Sequence, residues 1–203
     1  MPGLTKFDLL KERKADYAAP KCPLLLEIPP ARYLGIGGHG EAGGREFQAQ
    51  AGAIYNLAFA LKAASKSGGR DYVVPKMEGQ WWGENPEEVL MGQQRTIWNW
   101  KLLIRLPDFI SEDEVARETS KLTDKGKAPE ITQVKVEKLE EGRCVQMLHV
   151  GPYTAEAPAL QAMRDFVVAQ GLTLHGLHHE IYLSDPRRTP PSKLRTILRH
   201  PVR

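Results

Sequence analysis

Twice along its 203 residues the chain runs through the same order, a strand, an amphipathic helix and two more strands, and this repetition restricts the possible folds more than any single motif. In the first pass, Leu24-Leu25-Leu26 and Tyr33-Leu34-Gly35-Ile36, broken by Pro29-Pro30, read as strand. Phe47, Ala51, Ile54, Ala58 and Leu61 then recur at three- and four-residue steps, the spacing of a helix with one apolar face, and Gly68-Gly69 stops it. Strands are expected over 76–82 and 97–106, with the turn-like Gly83-Glu84-Asn85-Pro86 between them. In the second pass, 132–139 and 143–150 are expected to form a hairpin through Glu140-Glu141-Gly142. A helix follows with Thr154 as its expected N-cap, Glu156 favoured in the first turn by the helix dipole, and Leu160, Met163, Phe166 and Val167 on its apolar side. The last strands are expected over 177–183 and 194–200.

Leu103-Ile104-Arg105-Leu106-Pro107 closes the first pass much as Ile197-Leu198-Arg199-His200-Pro201 closes the second, the kind of echo an internal duplication leaves. Between the passes, Ser111 and Glu114 have the spacing of a capping box and start a connector helix over 111–125. The expected organisation is an α+β chain: a polar lead-in over 1–23, then one domain over 24–203 made of units at about 24–107 and 130–203.

The 28 basic and 25 acidic residues leave a formal charge of +3, with no run of five like charges, which argues against a nucleic-acid arm. No stretch of about 18 apolar residues is present to span a bilayer, and the first residues lack an export-length apolar core. Cys22 and Cys144 have no zinc or redox spacing and read as reduced thiols, so a cytoplasmic protein is expected.

Gly35-Ile36-Gly37-Gly38-His39-Gly40 fits the letters of a dinucleotide fingerprint, but no acidic residue stands where a ribose would need one, and these glycines read as a flexible loop. His175, His178 and His179 invite a metal reading, yet neighbouring histidines on a strand point to opposite faces, and no metal or cofactor is expected. Trp81, Trp82, Trp98 and Trp100 fall on the two strands of one expected hairpin, with Trp98 and Trp100 on one face and Trp81 and Trp82 on opposite faces. Such indoles either wall a site for flat or cationic ligands or pack as core.

Three segments carry a family resemblance: His149-Val150-Gly151-Pro152-Tyr153 before a helix, His179-Glu180-Ile181-Tyr182-Leu183-Ser184-Asp185-Pro186, and Leu194-Arg195-Thr196-Ile197-Leu198-Arg199. Together with Tyr33-Leu34-Gly35-Ile36 and the helix bearing Tyr55, they resemble the GyrI-like small-molecule-binding family, which is related to the effector-binding domains of BmrR-type regulators. The resemblance implies two pseudo-symmetric strand-helix-strand-strand units forming a curved antiparallel sheet, with helices on one side and a central groove for flat, apolar, often cationic molecules. The polar lead-in has no room for a helix-turn-helix, so a stand-alone protein is expected, similar to members that hydrolyse strained cyclopropane rings in DNA-alkylating compounds.

The resemblance places Glu180 as the groove carboxylate, either a partner for a ligand cation or a general base on water; as a bare sequence feature it reads equally as a solvated strand glutamate. It gives Tyr55 a hydroxyl aimed into the groove, against the plainer reading of a tyrosine at the core edge. Tyr182, Met147, Tyr153 and His149 complete the expected ligand-contacting set with the four tryptophans. A non-catalytic drug-binding or sensing protein, and an inhibitor acting on gyrase, are the alternatives; a protein partner is not identified by the sequence.

Overall fold

The computed structural model describes residues 6–84, 89 and 97–203, so the expected turn at Asn85-Pro86 lies outside the described residues. Strands β1 (Leu24–Ile28) and β2 (Ala31–Gly40) precede helix α2 (Arg45–Ser67), β3 (Met77–Trp82) and β4 (Trp98–Arg105). A short helical turn, α1 (Leu9–Glu12), precedes them all. Helix α3 (Glu112–Asp124) connects to β5 (Lys135–Leu139), β6 (Gly142–Val150), α4 (Ala157–Ala169), β7 (His178–Tyr182) and β8 (Arg195–Pro201). The strands form one antiparallel sheet, curved and unclosed, in the order β1-β6-β8-β7-β3-β4-β2-β5.

The hairpin expected through Glu140-Glu141-Gly142 does not form. β5 pairs with β2, and β6 pairs with β1 and β8. Leu24 faces Gln146 and Gly35 faces Lys135 in one unslipped register, so 24–35 and 135–146 make a single long antiparallel ribbon by which the halves clasp each other. Pro29-Pro30 interrupts that ribbon because proline has no N–H for the ladder. The strand expected from residue 132 starts at Lys135, since Pro129–Gln133 winds as a 3-10 turn with Ile131 fully buried.

The glycines of Gly35–Gly40 are strand, not loop: all lie in β2 and pair with β4. A Cβ at Gly38 would lie 2.5 Å from Gln50 Oε1 and 2.6 Å from the Trp100 ring, so the missing side chain is the space that Trp100 occupies. Trp100 is fully buried, with its Nε1 donating to Gln50 Oε1 at 2.8 Å.

The helices cover one face of the sheet in two patches. Ile54, Leu57 and Leu61 of α2 and Val115 of α3 pack on Leu34, Ile36, Leu102 and Ile104; Leu160, Met163 and Val167 of α4 pack on Val145, Met147 and Leu198. Each such side chain taken out of water contributes about 1.5–3 kcal/mol. The connector helix begins as expected: Ser111 Oγ accepts from the Glu114 N–H while the Glu114 carboxylate accepts from the Ser111 N–H. Helix α4 does not begin at Thr154. Residues Tyr153–Ala155 form a 3-10 turn, Glu156 takes the N-cap position without a side-chain cap, and Pro158 sits where a missing N–H is harmless.

The opposite face holds a buried charged network that fixes both β7 and the N-terminal segment. His179 lies between Glu141, 2.9 Å from Nδ1, and Glu78, 3.0 Å from Nε2. Arg199 donates to Glu141 Oε2 at 2.9 Å, to Gln146 at 2.6 Å and to the Asp16 carbonyl at 2.6 Å, while Arg105 donates to the Asp16 carboxylate at 2.9 Å. The polar lead-in is thereby tied across the sheet, with Phe7 bridging to Tyr72 at its start and the Pro20 carbonyl accepting from Leu148 N–H near its end.

Candidate functional site

Strand β7 runs along the seam between the two helix-covered patches, next to β3 on one side and β8 on the other. Period-two alternation puts His178, Glu180 and Tyr182 on the helix face, and His179 and Ile181 on the charged face. Glu180 stands opposite Gly79 of β3 and Leu198 of β8, with its side chain 12% exposed. It is therefore a nearly enclosed carboxylate on an apolar face, and its nearest basic neighbour is the His178 Nε2, 3.6 Å from Oε1.

Tyr182 and Trp81 complete one side of the seam. The Trp81 Nε1 donates to the Tyr182 hydroxyl at 2.8 Å, and Phe47 stacks on the Trp81 ring at 5.7 Å. Gly79 makes this contact possible: a Cβ there would lie 2.8 Å from the Tyr182 hydroxyl and 2.9 Å from Trp81 Nε1. Burial, and then the neighbouring Glu180 charge, hold the Tyr182 phenol proton well above its usual range, so this hydroxyl is a donor at ordinary pH.

The other side is the turn leading into α4. Tyr153 meets Tyr182 edge to face at 5.9 Å, and burial, Glu180 and Glu156 together push its phenol up to about 12. His149 braces this turn, with Nε2 3.1 Å from the Pro152 carbonyl. Gly151 lies in the left-handed region at φ 145°, and a Cβ there would come 3.3 Å from the same imidazole. Met147, opposite Leu198, belongs to the core beneath α4.

Two side chains that the sequence does not single out as site residues join this cluster. Glu156 is buried, and its carboxyl is pushed up to about 10, first by loss of water and then by the Glu180 charge. It is thus a neutral acid and not the ionised first-turn glutamate that the helix dipole suggests. His178 is fully buried and, apart from its approach to Glu180, stacks on His200 at 6.1 Å. The signal for His178 is its two-residue spacing from Glu180; nothing local in the sequence marks Glu156, because the fold alone carries it to β7.

Other expected residues lie farther out. Tyr55 is half-buried, stacks on Phe59 at 6.1 Å and is raised by burial, with its hydroxyl hydrogen-bonded to the Met77 backbone and Arg187 and Asp185 as its charged neighbours. Trp100 is core, with its indole enclosed by Phe47, Trp81 and Gln50. Trp98 is half-buried at the edge of the α2 patch, and Trp82, opposite Asn99, has the face parity of Gln80. Two open depressions of about 460 and 650 Å³ lie elsewhere, beside Lys11 and Lys76 and between α3 and Val134–Val136. Among the described residues, no helix is long and apolar enough to cross a membrane.

The fold has known counterparts. An uncharacterized conserved protein from Listeria innocua is 35% identical, with a TM-score of 0.89, over 98% of this chain and 100% of that one. A hydrolase from Listeria innocua is also 35% identical, with a TM-score of 0.86 over the same shares. The EcmrR C-terminal domain shares the fold at 11% identity, with a TM-score of 0.59 over 89% of this chain and 96% of its own. No curated protein matches the sequence. Residues 25–203 match the model of the GyrI-like small molecule binding domain, and the chain belongs to that family.

Proposed function

We propose that the seam around Glu180 binds planar hydrophobic or cationic small molecules, and that Glu180 activates water to open strained cyclopropane rings in alkylating compounds. The observation that carries this reading is a nearly enclosed carboxylate on an apolar, aromatic-flanked face, with a histidine at 3.6 Å as its one basic neighbour within ion-pair reach among the described residues. The hydrolase name borne by a 35%-identical protein that matches almost the whole chain supports a catalytic role. In the proposed step, a water bound against Glu180 gives its proton to the carboxylate as its oxygen attacks a ring carbon. The strained C–C bond breaks, and its electron pair passes to the conjugated carbonyl of the ligand, which takes a proton from a phenol. Tyr55, already held as a donor by burial, is the proposed source. Ligand entry requires the Tyr153 turn or the segment after Tyr182 to move aside, because the carboxylate is enclosed as it stands. Free thiols at Cys22 and Cys144, the latter raised to about 12 by burial, fit a reducing, cytoplasmic setting.

The test is Glu180→Gln, assayed with a cyclopropane-bearing alkylator and product analysis for the ring-opened hydrate. Turnover is expected to fall by about 10²-fold or more, with binding of neutral planar ligands retained. Ligand returned unchanged by the native protein removes the hydrolase reading and leaves a non-catalytic binder. That second reading has its own support, because the charges acting on Tyr55 are those of Arg187 and Asp185 and its hydroxyl is engaged by Met77.

A further inference from the structure

A line of histidines leads away from Glu180. The His178 Nε2 lies 3.6 Å from Glu180 Oε1. The register that sets His179 opposite Arg199 makes His178 and His200 the next cross-strand pair, and their rings stack at 6.1 Å and 23° with both residues fully enclosed. His175 comes next, half-buried in the approach to β7: its N–H donates to the Pro201 carbonyl at 3.0 Å, beside His200, and its charge acts on the His200 ring. The line thus joins an enclosed carboxylate to the surface.

Both ring nitrogens of His178 and the Nδ1 of His200 are buried without a hydrogen-bond partner. Buried polar atoms left unpaired are costly, and a native site that keeps them calls for a reason. The contrast with the next residue is informative. His179, on the charged face, is pinned between Glu141 and Glu78, whereas no hydrogen bond among the described residues holds the His178 ring, so side-chain rotation can turn a nitrogen from Glu180 toward His200. His200 is driven down to about 3 by burial and then by His178, so it hands a proton on and does not keep it. The other groups facing the line are Trp81, opposite His178 on β3, and Glu141, whose charge reaches His200.

In the step proposed above, water leaves its proton on Glu180 and the ligand takes one from a phenol. Before the next turnover the carboxyl must lose its proton and the phenol regain one. We propose that His178, His200 and His175 relay that proton from Glu180 to solvent: His178 accepts it at Nε2 and gives one up from its other nitrogen to His200, and His175 releases it outside, where solvent returns a proton to the phenol. The inference rests on the reaction proposed above and adds the route by which the site resets. The histidines act through Glu180 and touch no reacting atom.

The experiment follows hydrolysis of a cyclopropane-bearing alkylator by the full chain, in dilute buffer, through the first turnover and into the steady state. His178→Gln is expected to keep the rate of the first ring opening, release about one product per protein molecule, and then turn over at least about tenfold more slowly than the native protein. Added imidazole, a small proton carrier, is expected to restore part of the steady rate and leave the first turnover unchanged. His178→Gln combined with His200→Gln should be no slower than His178→Gln alone, because a broken relay is not broken twice. His200→Gln by itself should give the same burst and slow phase, which keeps the inference open to test should His178→Gln not fold. A first turnover slowed as much as the steady state overturns the relay and leaves His178 only orienting Glu180. An unchanged steady state in both single variants, or losses that add in the double variant, also overturns it. No product from the native protein removes the reaction and this inference with it.

Discussion

At the scale of single residues, a side chain that is absent does as much here as those present. Gly79 leaves the gap in which Trp81 Nε1 reaches the Tyr182 hydroxyl, and a methyl group there would press on both partners at under 3 Å. Neither partner is free to retreat, since Trp81 is stacked under Phe47 and Tyr182 is packed against Tyr153. Gly79→Ala is therefore expected to cost about 1–3 kcal/mol, the usual range for overpacking a fitted site, and to break the indole–phenol bond. Denaturant unfolding would measure the first, and a shift of tryptophan emission in the folded protein the second; an unchanged emission maximum would mean that the bond is not what positions Trp81. Residue-level expectation is dependable where alternation decides, as in the opposite faces of His178 and His179, because it needs only the strand period. It fails for Glu156: burial and a neighbouring carboxylate, both products of the fold, outweigh the fractional charge of a helix terminus.

At the scale of elements, helices and most strands are legible because periodicity and stop signals are local. Helix α2 begins at Arg45, two residues before the span marked out by the Phe47-to-Leu61 spacing, and ends at Ser67, beside its glycine stop. Pairing is another matter. Residues 132–150 look like a hairpin, yet the only partner an isolated β5 and β6 could find is each other, while the folded chain offers β2 and β1 in one continuous ribbon. The Gly35–Gly40 run misleads for a similar reason, since Gly38 makes room for Trp100, which is far along the chain and invisible to local reading. The N-terminal segment is also misjudged by its polarity. Asp16 is the buried partner of Arg105, with both side chains under a tenth exposed. Asp16→Ala leaves that guanidinium, among the described residues, with the Tyr17 hydroxyl at 3.3 Å as its remaining hydrogen-bond partner and is expected to destabilise by about 3–5 kcal/mol, the cost of stranding a buried charge. Chemical denaturation would check it; a loss below about 1 kcal/mol would show that the segment contributes little and that water satisfies Arg105.

At the scale of the whole molecule, the two faces of the sheet carry opposite electrostatic designs, and together they set how stability depends on pH. His179, despite its burial, is raised by Glu141 and Glu78 to about 9 from an ordinary 6.5, so its folded form holds a proton that the unfolded chain releases between those values. That contribution is complete below about 6.5 and is lost as pH climbs through 9. Glu156, raised to about 10 from 4.5, acts in the same direction: the unfolded chain ionises where the folded one does not, and stability falls as pH rises toward 10. On the acid side, His200 is driven down to about 3 by burial and then by His178, and Glu141 sits at about 2, so the unfolded chain takes up protons that the folded one refuses as pH falls below 6.5 and then 4.5. The expected outcome is a melting temperature highest at mildly acidic pH, falling on both sides, with the alkaline fall shared between the two faces. Glu156→Gln is then expected to flatten the decline between about pH 6.5 and 9, because it removes one of the two protons involved and leaves His179 in place, and to let the acid-side fall begin near 6.5 instead of 4.5, because Glu156 no longer offsets His200 between those values. A thermal-melt series from acid to alkaline pH on both proteins would decide this. A variant with the same alkaline slope as the native chain would assign the whole decline to His179, and would mean that Glu156 does not hold its proton in the folded protein.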